Sequence, residues 1–184
     1  MKSKLRTLLI VIAVAVIALA VIAALQPDEF RVSRSTTIAA APAIVFGQVN
    51  DLHQFQDWSP WAKIDPNGKI NFAGPPAGTG AEFSWAGNSQ VGEGRMTIIE
   101  SQPNELVRMR LDFLKPFKAT NTAEFAFAAE GNQTKVTWSM FGKNNFFFKA
   151  FSLFMNCDKM IGPDFEKGLA SLKAIAEAEA RKQP

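Results

Sequence analysis

A chain of 184 residues, 47% of them hydrophobic, accommodates one membrane span and one compact domain of about 150 residues, large enough to close its own core. The formal net charge of +3 comes entirely from Lys2, Lys4 and Arg6, because the other 17 basic residues face 17 acidic ones; a neutral domain lacks the electrostatic footprint of a nucleic-acid binder. One cysteine, Cys157, excludes an internal disulfide and a shared thiolate metal site, and 16 Phe with no Tyr give an interior of rings without hydroxyls.

Residues 7–25 (TLLIVIAVAVIALAVIAAL) run nineteen positions without a charge. At about 1.5 Å per residue they nearly match a hydrocarbon core of roughly 30 Å, so they read as one transmembrane helix between a flank (1–6) and a linker (26–28). The rival is a cleaved secretory signal: Ala18-Leu19-Ala20 offers a small-x-small site, but the apolar run continues past it and exceeds the usual signal length. Lys2, Lys4 and Arg6 on one side, against Asp28 and Glu29 on the other, place the N-terminus in the cytoplasm. The domain, residues 29–184, is then extracytoplasmic, which in a bacterium means periplasmic.

Pro27 ends the anchor, and residues 29–38 (EFRVSRSTTI) alternate as a half-buried first strand. Pro42 suits the first turn of a helix carrying Ile44, Val45, Val49 and Leu52 on one stripe, and residues 53–58 add a second short helix. Six further strands are expected at 69–73, 81–87, 92–102, 105–114, 119–129 and 135–142, joined by short turns at which Asn104 and Gly131-Asn132 are the tight points. Val107, Met109, Leu111 and Phe113 share one face of their strand while Arg108, Arg110 and Asp112 share the other, so one sheet face is buried and one wet. Phe83, Trp85, Val136, Trp138 and Met140 join the buried face. Residues 145–155 (NFFFKAFSLFM) are apolar almost all round a helical wheel, which means deep burial or contact with something greasy outside; burial is the favoured reading. A long amphipathic helix at 164–181 closes the domain with Phe165, Leu169, Leu172 and Ile175 inward, and Gly162-Pro163 predicts a kink or restart before it.

Strand, two short helices, six strands and a long terminal helix is the order of an α+β helix-grip fold. The residues resemble the START-like (SRPBCC) superfamily, in its polyketide cyclase/dehydrase branch. The matching pieces are Phe30-x-Val32-x-Arg34-Ser35, Ala41-Pro42-Ala43-Ile44-Val45-Phe46, Trp58-Ser59-Pro60-Trp61, Trp85-x-Gly87-Asn88 with Val91-Gly92-x-Gly94, Val136-Thr137-Trp138, and Gly162-x-Asp164-Phe165-Glu166-x-Gly168-Leu169. The resemblance spans about residues 29–180. It implies a curved antiparallel sheet of about seven strands around the C-terminal helix, with an apolar cavity between them for a lipid or another hydrophobic small molecule. It leaves the chemistry open, since such folds host binders and enzymes alike.

Three functions follow from the inventory. The first is a membrane-tethered binder of a hydrophobic small molecule or lipid, with neither cofactor nor metal. Trp58, Trp61, Phe83 and Trp85 would line its cavity, with Met109, Leu111, Phe113, Trp138 and Met140 from later strands and Phe151, Met155 and Phe165 from the helices. The second is an enzyme of cyclase or dehydratase type, in which His53, Glu82 or Asp158 moves a proton. His53 is the only histidine and reads first as a half-exposed helix residue, and a carboxylate beside Cys157 would raise the thiol pKa, so Cys157 reads as buried filler. Gly92 and Gly94 begin a strand and read as a turn or bulge, not a phosphate loop. The third is a structural or partner-binding envelope domain whose cavity is filled by its own side chains.

Overall fold

The computed structural model describes residues 2–182. Helix α1 (Lys2–Ala24) meets the domain only at its C-terminal end, where it packs on the segment after the last strand; its most apolar 18-residue window, within Ser3–Ala24, has a mean hydropathy of 3.1 and is 6% buried, so the helix is long and apolar enough to cross a membrane. After it come β1 (Glu29–Ile38), α2 (Pro42–Asn50), α3 (Leu52–Trp58), β2 (Lys69–Ala73), β3 (Glu82–Ala86), β4 (Glu93–Gln102), β5 (Leu106–Lys115), β6 (Ala119–Glu130) and β7 (Gln133–Lys143). Helices α4 (Phe146–Ser152) and α5 (Cys157–Ala180) complete the chain. The strands form one antiparallel sheet in the order β1-β7-β6-β5-β4-β3-β2, with α2, α3 and α5 against its inner face, as the helix-grip expectation required.

Turn chemistry sets the register. Asn104 (φ 63°) and Gly131 (φ 61°) turn β4 into β5 and β6 into β7, and Gly92 (φ 63°) precedes a bulge between Glu93 and Gly94. Across one end of the sheet, Glu29 faces Lys143, Gly142 faces Asn121, Ala119 faces Phe113, Lys115 faces Glu93, and Ala86 faces both Glu93 and Lys69. Since β1 begins here directly after α1, this is the α1-proximal end.

The inner face follows the predicted alternation: Val107 and Met109, then Phe125 and Phe127, then Val136 and Trp138 are buried. At its centre the Trp138 ring stacks on Phe165 of α5 (4.0 Å between centroids) and on Phe125 (4.8 Å), with Trp58 and Trp61 edge-on at 5.6 and 5.7 Å. The outer face carries the charges, paired as Arg108 with Glu100 and Glu124 and Arg95 and Arg110 with Asp112.

Helix α3 is capped by Asp51, whose carboxylate accepts the His53 N–H at 2.8 Å; burial would raise its pKa, but that bond and those from Gln54 prevail and lower it. Helix α5 starts at an Asn156 cap, upstream of the expected 164, and continues through Pro163 without restarting there. Pro163 is exposed, as is Lys159, whose carbonyl it leaves without a helical donor, so that carbonyl is on the solvent-facing side. Cys157 is half-buried against the core rather than fully enclosed. Arg34 of β1 clips α5 to the sheet through Asp158 (2.7 and 3.0 Å) and Glu166 (2.7 Å), crossing at Gly162, where a Cβ would collide with its guanidinium.

The rings of α4 also depart from the favoured reading. Phe146 and Phe147 are each 58% exposed and Phe154, just after the helix, 77% exposed, so this segment is a surface and not a core.

Two predictions test the packing and the clip. A Cβ at Gly47 in α2 meets nothing within 4 Å, whereas one at Gly168 in α5 falls 2.7 Å from the trapped Trp138 ring. In urea unfolding, Gly47→Ala should stabilise by about 0.5–1 kcal/mol from helix propensity, and Gly168→Ala should destabilise by roughly 1–3 kcal/mol because overpacking outweighs that gain. The hydrogen bond from Arg34 holds the Asp158 carboxyl below its ordinary pKa. A depressed carboxylate contributes stability that is full above its unfolded pKa of about 3.9 and is lost as pH falls through the lowered folded value. Carboxyl NMR titration should therefore place Asp158 below its ordinary value, and Arg34→Met should return it there.

Candidate functional site

The inner face of the sheet is not covered along its whole length. Where α5 and the Trp138 cluster stop, α3, residues 59–68 and strands β2 to β5 enclose a half-open cavity of about 300 Å³ at the α1-proximal end. Two rows of inward residues make its floor. Phe83, Met96 and Leu111 sit side by side across β3, β4 and β5; one step nearer the end come Trp85, Gly94 and Phe113. Without a side chain at Gly94, the Trp85 ring lies across β4 and meets Phe113 edge-on at 5.9 Å. Phe55 and Trp61 close the opposite wall, and Met140 and Ile161 close one side.

The mouth is polar and latched. Asp65 accepts the Asn67 N–H at 3.1 Å and, across the opening, the Asn88 N–H at 2.7 Å. Trp85 Nε1 donates to the Val91 carbonyl at 3.1 Å, which fixes the turn between β3 and β4 against the ring. Gln56, Lys69 and Gln90 complete the rim, and Lys69 makes no ion pair among the described residues. Such a site receives an apolar body inside and a polar group at the rim.

Of the predicted lining residues, the structure brings together Trp61, Phe83, Trp85, Leu111, Phe113 and Met140. Trp58, Met109, Trp138 and Phe165 are packed in the core beside the cavity, and Phe151 and Met155 lie outside it around α4. The middle of the interface between sheet and C-terminal helix is filled by rings, and at the cavity α5 contributes Ile161 to the lining. Among the residues missed, Met96 had a usable signal, since it faces Phe83 and alternates with the wet Arg95 and Thr97. Asp65, Gln90 and Val91 had none, because two loops distant in sequence meet only after the sheet curls.

The three polar candidates are apart from this cavity, and Asp158 is apart from the other two. His53 stacks on Phe72 at 3.9 Å with Nδ1 3.4 Å from Asp51, and shares a separate hollow of about 220 Å³ with Glu82. Glu82 accepts the Thr97 hydroxyl at 2.8 Å, and Asp158 is engaged by Arg34. Among the described residues no three His, Cys, Asp or Glu side chains are grouped to hold a metal.

Residues 29–177 match the family described as polyketide cyclase / dehydrase and lipid transport. No curated protein matches the sequence at a significant level. Solved structures share the fold: a protein from Chromobacterium violaceum (TM-score 0.57, 14% identity, covering 83% of this chain and 99% of that one), one from Mesorhizobium loti (0.59, 12%, 81% and 98%) and one from Mycobacterium smegmatis (0.57, 14%, 81% and 92%).

The latch generates a prediction. A hydrogen bond to a charged acceptor contributes roughly 1.5–3 kcal/mol, so Asp65→Ala should speed amide hydrogen exchange at Asn67 and Asn88 by about tenfold or more while leaving Met109 and Trp138 unchanged. Unaltered exchange at both turns would mean that the mouth is held by other contacts.

Proposed function

The chain belongs to the polyketide cyclase/dehydrase and lipid transport family, and from that premise we propose that it binds a hydrophobic small molecule or lipid in the α1-proximal cavity while α1 tethers it to a membrane. The observation that carries the reading is the position of the cavity: an apolar hollow floored by Phe83, Met96 and Leu111, at the same sheet end as a helix able to span a bilayer. Binding draws on apolar burial, about 25 cal/mol per Å² removed from water. The rim groups Gln56, Lys69 and Gln90 orient the ligand's polar end. A volume at the low end of small-molecule sites, which run from about 300 to 1,000 Å³, favours one acyl chain or ring system over a whole two-chain lipid.

The tether reading is supported by 23 helical residues in α1, about 35 Å at about 1.5 Å each, with charge only in its first turns. Lys4 and Arg6 there, against Asp28 and Glu29 beyond its other end, favour a cytoplasmic N-terminus and an extracytoplasmic domain.

Leu111 stands in the middle of the floor, so Leu111→Trp should fill the hollow without disturbing the Trp138 cluster. We expect a fluorescent fatty acid to bind the natural protein and to bind this variant at least tenfold more weakly, at an unchanged unfolding midpoint. Equal affinity in the two proteins would place the ligand elsewhere and refute the proposal.

A further inference from the structure

Helix α4 and its flanks leave an apolar face uncovered. Phe146, Phe147 and Phe154 are exposed on it, with Met160 from the start of α5. Phe117, 61% exposed in the turn between β5 and β6, packs against Phe147 at 5.9 Å between centroids, so helix and turn form one surface. Exposed rings at this density are costly in water and mark a contact with something apolar.

The same face is fixed to the end of α1. Helices α1 and α4 pack together, and Ala23 is buried in a helix otherwise exposed. Lys149 of α4 pairs with Asp28 and reaches the Ala24 carbonyl at 3.5 Å. Asn144 donates through its backbone N–H to the Asp28 carbonyl (2.7 Å) and through Nδ2 to that of Pro27 (3.1 Å). The residues joining anchor to domain are thus pinned to α4, and wherever α1 leaves a bilayer, α4 lies at its surface.

We infer that this face docks onto a phospholipid bilayer beside α1, rings in the acyl boundary, and so holds the cavity against the membrane. The inference rests on the reading of α1 as a span. Charge supports a lipid occupant: Lys118, Lys143 and Lys159 border the rings, are exposed, and make no ion pair among the described residues, which suits anionic headgroups. Continuity supports it too: Ile161, at the side of the cavity, directly follows exposed Met160 in α5.

The test uses the full chain with Cys157→Ser, reconstituted in phosphatidylcholine/phosphatidylglycerol vesicles. An environment-sensitive thiol dye is placed at Val16→Cys, Phe154→Cys or Asn132→Cys, the last in the turn at the opposite sheet end, and nitroxide lipids are the quencher. Quenching at 16 and 154 but not at 132 is the expected result. Adding Phe146→Ser and Phe147→Ser should reduce quenching at 154 several-fold and leave 16 alone; no reduction refutes the role of the rings. Quenching at 16 with an aqueous signal at 154 overturns the docking and leaves the tether standing. An aqueous signal at 16 overturns both. A blue-shifted but unquenched dye at 154 means that a second copy covers the face, which also overturns the inference.

Discussion

The Trp138 stack governs the architecture. Its indole is held between Phe125 of the sheet and Phe165 of the closing helix, with Trp58 and Trp61 against its edges, so four chain segments are locked through one ring. Burying a ring of about 150–250 Å² contributes roughly 4–6 kcal/mol. Its Nε1 finds no acceptor among the described residues, a cost of about 1–3 kcal/mol, so burial wins. Gly168, bare against this ring, is what lets α5 approach so closely.

That block has a consequence for the site. A sheet this curved cannot be covered along its whole length by one helix, and once the rings fill the middle, the uncovered part is at the α1-proximal end. There the inward residues of β3, β4 and β5 are still apolar by alternation, but what faces them is α3 and a latched loop instead of α5. The cavity is thus the remainder of the inner face, produced by the same pattern that makes the core. Its location at the α1-proximal end comes from topology: β1 enters from the helix, and the antiparallel order places the β2 start, the β3 end and the β4 start at that same end.

Much of the fold was legible in the sequence because alternation and turn residues are local signals. Val107 to Phe113 announced an inner and an outer face, and Asn104 and Gly131 announced the hairpins. The site was only half legible. Period-two patterning says which residues point inward, not whether a neighbour or a void meets them, so Met109 and Leu111 look alike in sequence although one is core and the other cavity floor. The start of α5 was hidden for a related reason: Pro163 suits a first helical turn, but the Asn156 cap begins the helix about a turn and a half earlier and the chain continues through the proline. The rings of 145–155 carried both readings, and only the exposure of Phe146, Phe147 and Phe154 in the folded chain decides between a buried helix and a surface one.

The proposed function depends on an apolar guest occupying the cavity between α3 and β3 to β5. Methyl NMR of the selectively labelled protein, titrated with a medium-chain fatty acid, tests it directly. The Met96, Leu111, Met140 and Ile161 methyls should shift and show contacts to the acyl chain, while Met109 and Leu172, sealed in the core, stay still. Shifts confined to the core or the outer face, or none at saturating ligand, would contradict it.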